Sequence, residues 1–152
     1  MSKDTWINDI LAGQYDGQDV ELKGWIHRSR GSNKIRFIVI RDSTGNIQCV
    51  AKRAVLGDDF FDELKSSLIE SSVILRGKIE ATDREHGHEL QISSGEIVGA
   101  VNPERPFPIT ESAMSEADGG ETEFLLDNRH LYLRTSRTVS YTHLTLPTNC
   151  VV

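Results

Sequence analysis

Hydrophobic positions along this chain change period twice, and each change marks an element. Between residues 20 and 28, Val20, Leu22, Gly24 and Ile26 alternate with Glu21, Lys23, Trp25 and His27, the two-residue repeat of a half-buried strand. Gly24 inside that repeat predicts a bulge or a sharp bend. Gly31-Ser32-Asn33-Lys34 reads as a turn, and 35–42 as a second strand, β-branched and apolar on both faces. Ser43-Thr44-Gly45-Asn46 then turns the chain into a third strand over 47–52, most economically as a hairpin. At Phe61, Leu64 and Leu68 the spacing becomes helical, behind Asp58 and Asp59, either of which suits a helix N-cap. Strand patterning returns over 72–81 and 89–101, with a turn at 83–87 between them.

Five short strands with one helix between the third and the fourth is the element order of an all-β OB-fold, a five-stranded Greek-key barrel that frequently binds oligonucleotides. An SH3-like barrel would not place a helix there. The barrel pattern fills 1–101 and then stops. Residues 102–108 hold three of the four prolines, and 111–123 carry five acids, no bases and a Gly-Gly pair, so 102–123 reads as a proline-containing, acidic linker. The next segment, 124–137, has enough apolar residues to dock, although the barrel is complete without it. Residues 139–152 contain no Asp, Glu, Lys or Arg. This stretch resembles translated sequencing-adaptor DNA, and 138–152 is expected to be foreign or disordered.

Composition narrows the class. Charged residues make up 26% of the chain, and no apolar run is long enough to span a membrane. The N-terminus lacks the basic start and apolar stretch of a secretory signal. Cys49 and Cys150 stand far apart with no metal-ligand spacing, so neither a disulfide framework nor a structural zinc is expected, and a cytoplasmic setting is. The net charge of −6 conceals a segregation. Residues 20–53 hold eight bases (Lys23, Arg28, Arg30, Lys34, Arg36, Arg41, Lys52, Arg53) against Glu21 and Asp42, which makes that block +6 and the remainder −12. Such a block draws a polyanion locally, or is simply a solvated sheet face. Phosphate loops, dinucleotide fingerprints, zinc-protease helices and nucleophile elbows are absent from the sequence. His86 and His88 sit among acids in an expected hairpin turn, where solvated surface is the simpler reading than a metal. Cys49 alternates inward and reads as an inert buried thiol. No catalysis by this chain alone is expected.

If Ile38 and Ile40 face the barrel interior, Phe37 and Arg41 lie on its outer face, joined across the hairpin by Gln48 and Lys52, with Arg28, Arg30 and Lys34 at the rim. That set suits single-stranded nucleic acid. An exposed ring gives a stacking platform, an amide reads a splayed base edge, and arginines hold phosphates. The opposite register, with Phe37 in the core, is also compatible with a strand apolar on both sides.

Three segments carry a resemblance: Gly24-Trp25-Ile26-His27-Arg28-Ser29-Arg30, Ile35-Arg36-Phe37-Ile38-Val39-Ile40-Arg41-Asp42, and Gly45-Asn46-Ile47-Gln48. Together they resemble the anticodon-binding OB domain of class IIb aminoacyl-tRNA synthetases. Phe124-Leu125-Leu126-Asp127-Asn128-Arg129-His130-Leu131-Tyr132-Leu133-Arg134 looks like the start of their catalytic domain. The wording is most similar to asparaginyl-tRNA synthetases, with aspartyl enzymes second. The resemblance implies an N-terminal anticodon-binding part, truncated just inside the catalytic domain. It implies that Phe37 stacks on the central anticodon uridine, that Gln48 reads that base, and that Arg28 and Arg30 flank the anticodon loop. Arg41 is implied either as a tRNA contact or as a structural ion-pair partner. Val50 stands where some aspartyl enzymes carry a second aromatic, which leaves Phe37 as the single platform. The intact enzyme would use ATP and Mg²⁺ to join asparagine to tRNA, as a homodimer. This chain, lacking the arginine-bearing ATP segments, is expected to be inactive alone, to hold no cofactor and to partner tRNA rather than a membrane. The alternatives are an aspartyl-tRNA synthetase fragment and a stand-alone OB module for single-stranded nucleic acid.

Overall fold

The computed structural model describes residues 5–83, 87–110 and 121–134. The chain divides into two units, Met1–Pro106 and Phe107–Val152. In the first, β1 (Asp19–Gly31), β2 (Ile35–Arg41), β3 (Asn46–Lys52), β4 (Ser72–Ala81) and β5 (His88–Gly99) form a closed barrel in the order β1-β2-β3-β5-β4, with β4 returning to β1. Neighbours run antiparallel except β3 and β5, which pair in parallel at Gln48–Glu89, Cys49–Leu90 and Val50–Gln91. This is the OB barrel that the element order predicts.

Alternation decides what fills it. Leu22 and Ile26 of β1, Ile38 and Ile40 of β2, Ile47 and Cys49 of β3, Leu75 and Ile79 of β4, and Leu90 of β5 are buried in one cluster. Three helices accompany the barrel: α1 (Ile7–Leu11), α2 (Arg53–Leu56) and α3 (Asp58–Ser66). The predicted helix is α3, which adds Phe61 and Leu64 to the core; Leu68 lies beyond its end. Neither aspartate is the cap. Gly57 holds that position, and Asp58 and Asp59 occupy the first turn, where a negative charge meets the positive end of the helix dipole.

The sequence pattern does not announce α1, which inserts Ile7 and Ile10 into the same core. Asp42 fastens it. One carboxylate oxygen accepts the Ile7 N–H at 2.8 Å. The other accepts the Thr44 N–H at 2.6 Å, the Thr44 hydroxyl at 2.7 Å and the Gly45 N–H at 2.9 Å. A single side chain thus shapes the β2–β3 turn and ties the helix to it.

The expected bulge falls elsewhere. β1 pairs Ile26 with Ile40 but Arg28 with Val39, so the extra residue is His27. Gly24 has a different cause: a Cβ there would stand 2.5 Å from the Arg41 carbonyl oxygen, so a close approach of two backbones requires glycine.

In the second unit, 107–110 form neither helix nor strand, and α4 (Glu121–Asp127) and α5 (Arg129–Tyr132) follow. Asn128 joins the two helices by donating both its backbone N–H and its Nδ2 to the Phe124 carbonyl, at 3.1 and 2.9 Å. No described helix is long and apolar enough to cross a membrane. His86, Cys150, residues 111–120 of the linker and the uncharged tail lie outside the described residues.

Candidate nucleic-acid interface

The phase of β2 is settled by its partners. Ile38 and Ile40 are fully buried, whereas Phe37, Val39 and Arg41 are half-buried on the outer face. Phe37 is absent from the core cluster. Its ring therefore belongs to the outer wall.

Register builds that wall in two rows. Across β1, β2, β3 and β5 the first runs Arg30–Phe37–Val50–Gln91 and the second Arg28–Val39–Gln48–Glu89. Strands lie ~4.8 Å apart and alternate residues ~6.7 Å apart, so the face is roughly 14 Å wide and carries a ring, two amides, a carboxylate and two guanidinium groups. Val50, opposite Phe37, is buried but stands outside the core cluster, an aliphatic bed beside the ring.

The His27 bulge is what brings the arginines here. Positions 20, 22 and 26 of β1 point inward, and unbroken alternation would send 28 and 30 inward as well. Two guanidinium groups in an apolar barrel are prohibitively costly. One extra residue at His27 reverses the phase, and Arg28 and Arg30 emerge exposed opposite Val39 and Phe37 rather than at the rim. The sequence signal was available: an apolar phase that would otherwise bury two arginines must slip between them.

Gln48 is on the predicted face but is not open. It is 8% exposed, and its Nε2 donates to Glu89 Oε1 at 2.6 Å. The bond fixes which end of the amide points where, leaving Oε1 of Gln48 without a hydrogen bond among the described residues. Sequence reasoning did not identify Glu89. Its signal is the alternation of Glu89 and Gln91 with buried Leu90 and Ile92, combined with the parallel β3–β5 pairing of this topology.

The basic block sorts into distinct groups. Arg41 donates to both carboxylate oxygens of Glu70, at 2.9 and 3.0 Å, so of its two implied roles the geometry gives it the ion pair. Glu70 sits at φ 70°, an uncommon backbone for a non-glycine residue. Arg53 binds Asp58 and Asp62 and lies 4.6 Å from the Phe61 ring centroid. Arg36 donates to the Ser29 hydroxyl at 3.0 Å. Arg30, Lys34 and Lys52 make no ion pair among the described residues, and they stand around Phe37: Arg30 beside it across β1, and Lys52 opposite Ile35 at the turn that carries Lys34.

The other candidate groups have structural roles. Cys49 is fully buried, and burial, reinforced by the Glu89 charge, pushes its thiol far above the ordinary value. His88 Nε2 lies 2.7 Å from Asp16. Among the described residues no three His, Cys, Asp or Glu side chains come together to hold a metal ion. A cavity of about 410 Å³ opens elsewhere on the barrel, between Trp6, Trp25, Val73 and Val98.

Residues 20–98 match the tRNA anti-codon family model, described as an OB-fold nucleic acid binding domain. The chain belongs to this family. Within it, the asparagine–tRNA ligase of Thermoplasma acidophilum is 40% identical over 129 residues, covering 84% of this chain and 28% of that protein. The solved asparaginyl-tRNA synthetase of Pyrococcus horikoshii, complexed with asparaginyl-adenylate, matches this OB-fold chain with a TM-score of 0.76 at 32% identity, over 95% of this chain and 32% of that one. The aspartyl tRNA synthetase of Entamoeba histolytica matches with a TM-score of 0.73 at 18% identity, over 93% and 34% respectively, a likeness of fold. This OB-fold chain spans about a third or less of the length of the asparagine–tRNA ligases it matches.

Proposed function

We propose that this chain recognises the anticodon loop of a tRNA, reading its central uridine, as the anticodon-binding part of an asparagine–tRNA ligase. The observation that carries the reading is the pair of cross-strand rows that set Phe37 between Arg30 and Val50, and Gln48 between Val39 and Glu89. A base unstacked from the loop lies on Phe37, and the exposed arginines take the flanking phosphates. The base edge meets Gln48, whose orientation Glu89 fixes. With Nε2 held by Glu89, the acceptor Oε1 is the end offered to a base, and it suits the N3–H donor of uridine. Cytidine presents an acceptor at that position and would leave two acceptors facing each other. Asparagine rather than aspartate is supported by identities of 32–40% with asparagine enzymes, against 18% with the aspartyl enzyme.

Activation of asparagine with ATP and Mg²⁺, transfer to tRNA, and dimer formation all belong to the longer protein. Alone, this chain binds tRNA without charging it. The test is a chemical-shift titration with an anticodon stem-loop carrying GUU. Signals of Arg28, Arg30, Phe37, Gln48 and Glu89 are expected to move while those of Trp6 and Val98 stay. Movement centred on Trp6 and Val98 instead would place binding on the other side of the barrel and refute the assignment.

A further inference from the structure

Arg53 is the most heavily bonded cation of the basic block, and none of its bonds points at the wall. Its backbone N–H donates to the Lys34 carbonyl at 3.0 Å, and its Nε donates to the Asn33 carbonyl at 2.8 Å. The far side of the guanidinium is held by Asp58 at 2.7 Å and Asp62 at 2.5 Å, over the Phe61 ring. Lys65, from the next turn of α3, donates to Asn33 Oδ1 at 2.8 Å. The β1–β2 turn is thereby fastened to α2 and α3 by its backbone and by its central side chain. Within the turn, the Ser32 hydroxyl accepts the Lys34 and Ile35 N–H groups at 3.2 and 3.3 Å. What the turn carries is Lys34, flanked by Lys52 and Arg30 beside Phe37.

We propose that Arg53 is a positioning residue for RNA: it sets the β1–β2 turn so that Lys34 meets the RNA backbone next to the stacked base. The inference rests on the anticodon reading above. Two carboxylates already neutralise Arg53, so it is poorly suited to hold a phosphate itself, whereas its fork geometry suits two anchors at once. Preorganising one cation removes the ordering cost that a loose loop would meet on binding.

The test compares variants by their affinity for the GUU stem-loop and for a loop with C at the centre, with thermal melting run alongside. Arg53→Gln and Arg53→Lys are both expected to weaken GUU binding about fivefold, the scale of one exposed charge contact, with the U-over-C ratio unchanged. Asp58→Asn combined with Asp62→Asn makes the surface more positive, yet should also weaken binding, because it releases Arg53. Lys34→Ala should cost about fivefold in the parent and little in the Arg53→Gln background. Lys65→Ala, an exposed change that leaves the core intact, should cost about twofold and decides the matter if an Arg53 variant fails to fold. Tighter binding by the double aspartate variant together with parental binding by Arg53→Lys would overturn the proposal in favour of direct contact. Unchanged binding in every variant would also overturn it. A parent chain that binds both loops equally would instead defeat the anticodon reading itself.

Discussion

Replacing Asp42 by alanine tests how the barrel holds its outer helix. The carboxylate is buried, and all four of its neighbours are donors: the Ile7, Thr44 and Gly45 N–H groups and the Thr44 hydroxyl. The Ile7 bond is buried and charge-assisted, worth ~1.5–3 kcal/mol. The three turn bonds are partly buried and water replaces them in part, at roughly 0.5–1 kcal/mol each. The loss is then about 3–6 kcal/mol. Undocking α1 would expose Ile7 and Ile10, at about 1.5–3 kcal/mol each, so the bonds removed are comparable to the packing that remains. For a unit of roughly a hundred residues, where 1 kcal/mol moves Tm by ~4–8 °C, Tm should fall by at least about 12 °C. Asp42→Asn should recover less than half of this, since its amide turns a donor toward donors. Chemical denaturation gives the free energy, and amide exchange at Ile7 and Gly45 locates it. A Tm within about 3 °C of the parent, or unchanged protection at Ile7, would refute the reasoning.

Phe37→Ala should weaken stem-loop binding by about 1–3 kcal/mol while moving Tm little, since the ring lies outside the core cluster; normal binding in a direct titration would remove Phe37 as the platform. Arg30→Ala should weaken all RNAs alike and make the slope of log K against log salt shallower by ~0.7. Arg41→Ala should leave that slope alone and instead cost about 2 kcal/mol of stability by removing the two-pronged ion pair to the largely buried Glu70 carboxylate, and the reverse pattern in the two variants would exchange their roles. Because the folded state raises the Cys49 thiol above its ordinary value near 9, its contribution is complete below that pH and declines as pH rises and the unfolded chain ionises. In a Cys150→Ser background, Cys49 should resist thiol reagents at pH 8 until the protein unfolds, and labelling at the rate of a free thiol would contradict its burial.

The barrel was legible because its strands alternate and its helix keeps a separate period. Short or non-local features were not. α1 has five residues, too few to display a helical repeat, and its place comes from an Asp42 bond spanning 35 positions. The phase of β2 was ambiguous because Phe37 and Val39 are as apolar as Ile38 and Ile40; closure of the barrel resolves it. Phe37 and Gln48 share the outer face expected of them, whereas Arg28 and Arg30, expected at the rim, stand on the wall itself, because the one-residue bulge at His27 is not announced by Gly24. Charge arithmetic counted eight bases alike. Glu70 lies 29 positions from Arg41 and Asp62 nine from Arg53, and only the fold shows that these acids neutralise them. Glu89, 41 positions from Gln48, became visible only once β5 was seen beside β3.

The central claim is that this wall reads a uridine. The most direct measurement is binding of the chain to two anticodon stem-loops, one carrying GUU and one with its central U replaced by C, at two salt concentrations. The account predicts tighter binding of the GUU loop at both salts, with both affinities falling as salt rises while their ratio holds. Equal affinity for the two loops, or a preference that vanishes as salt is raised, would contradict it.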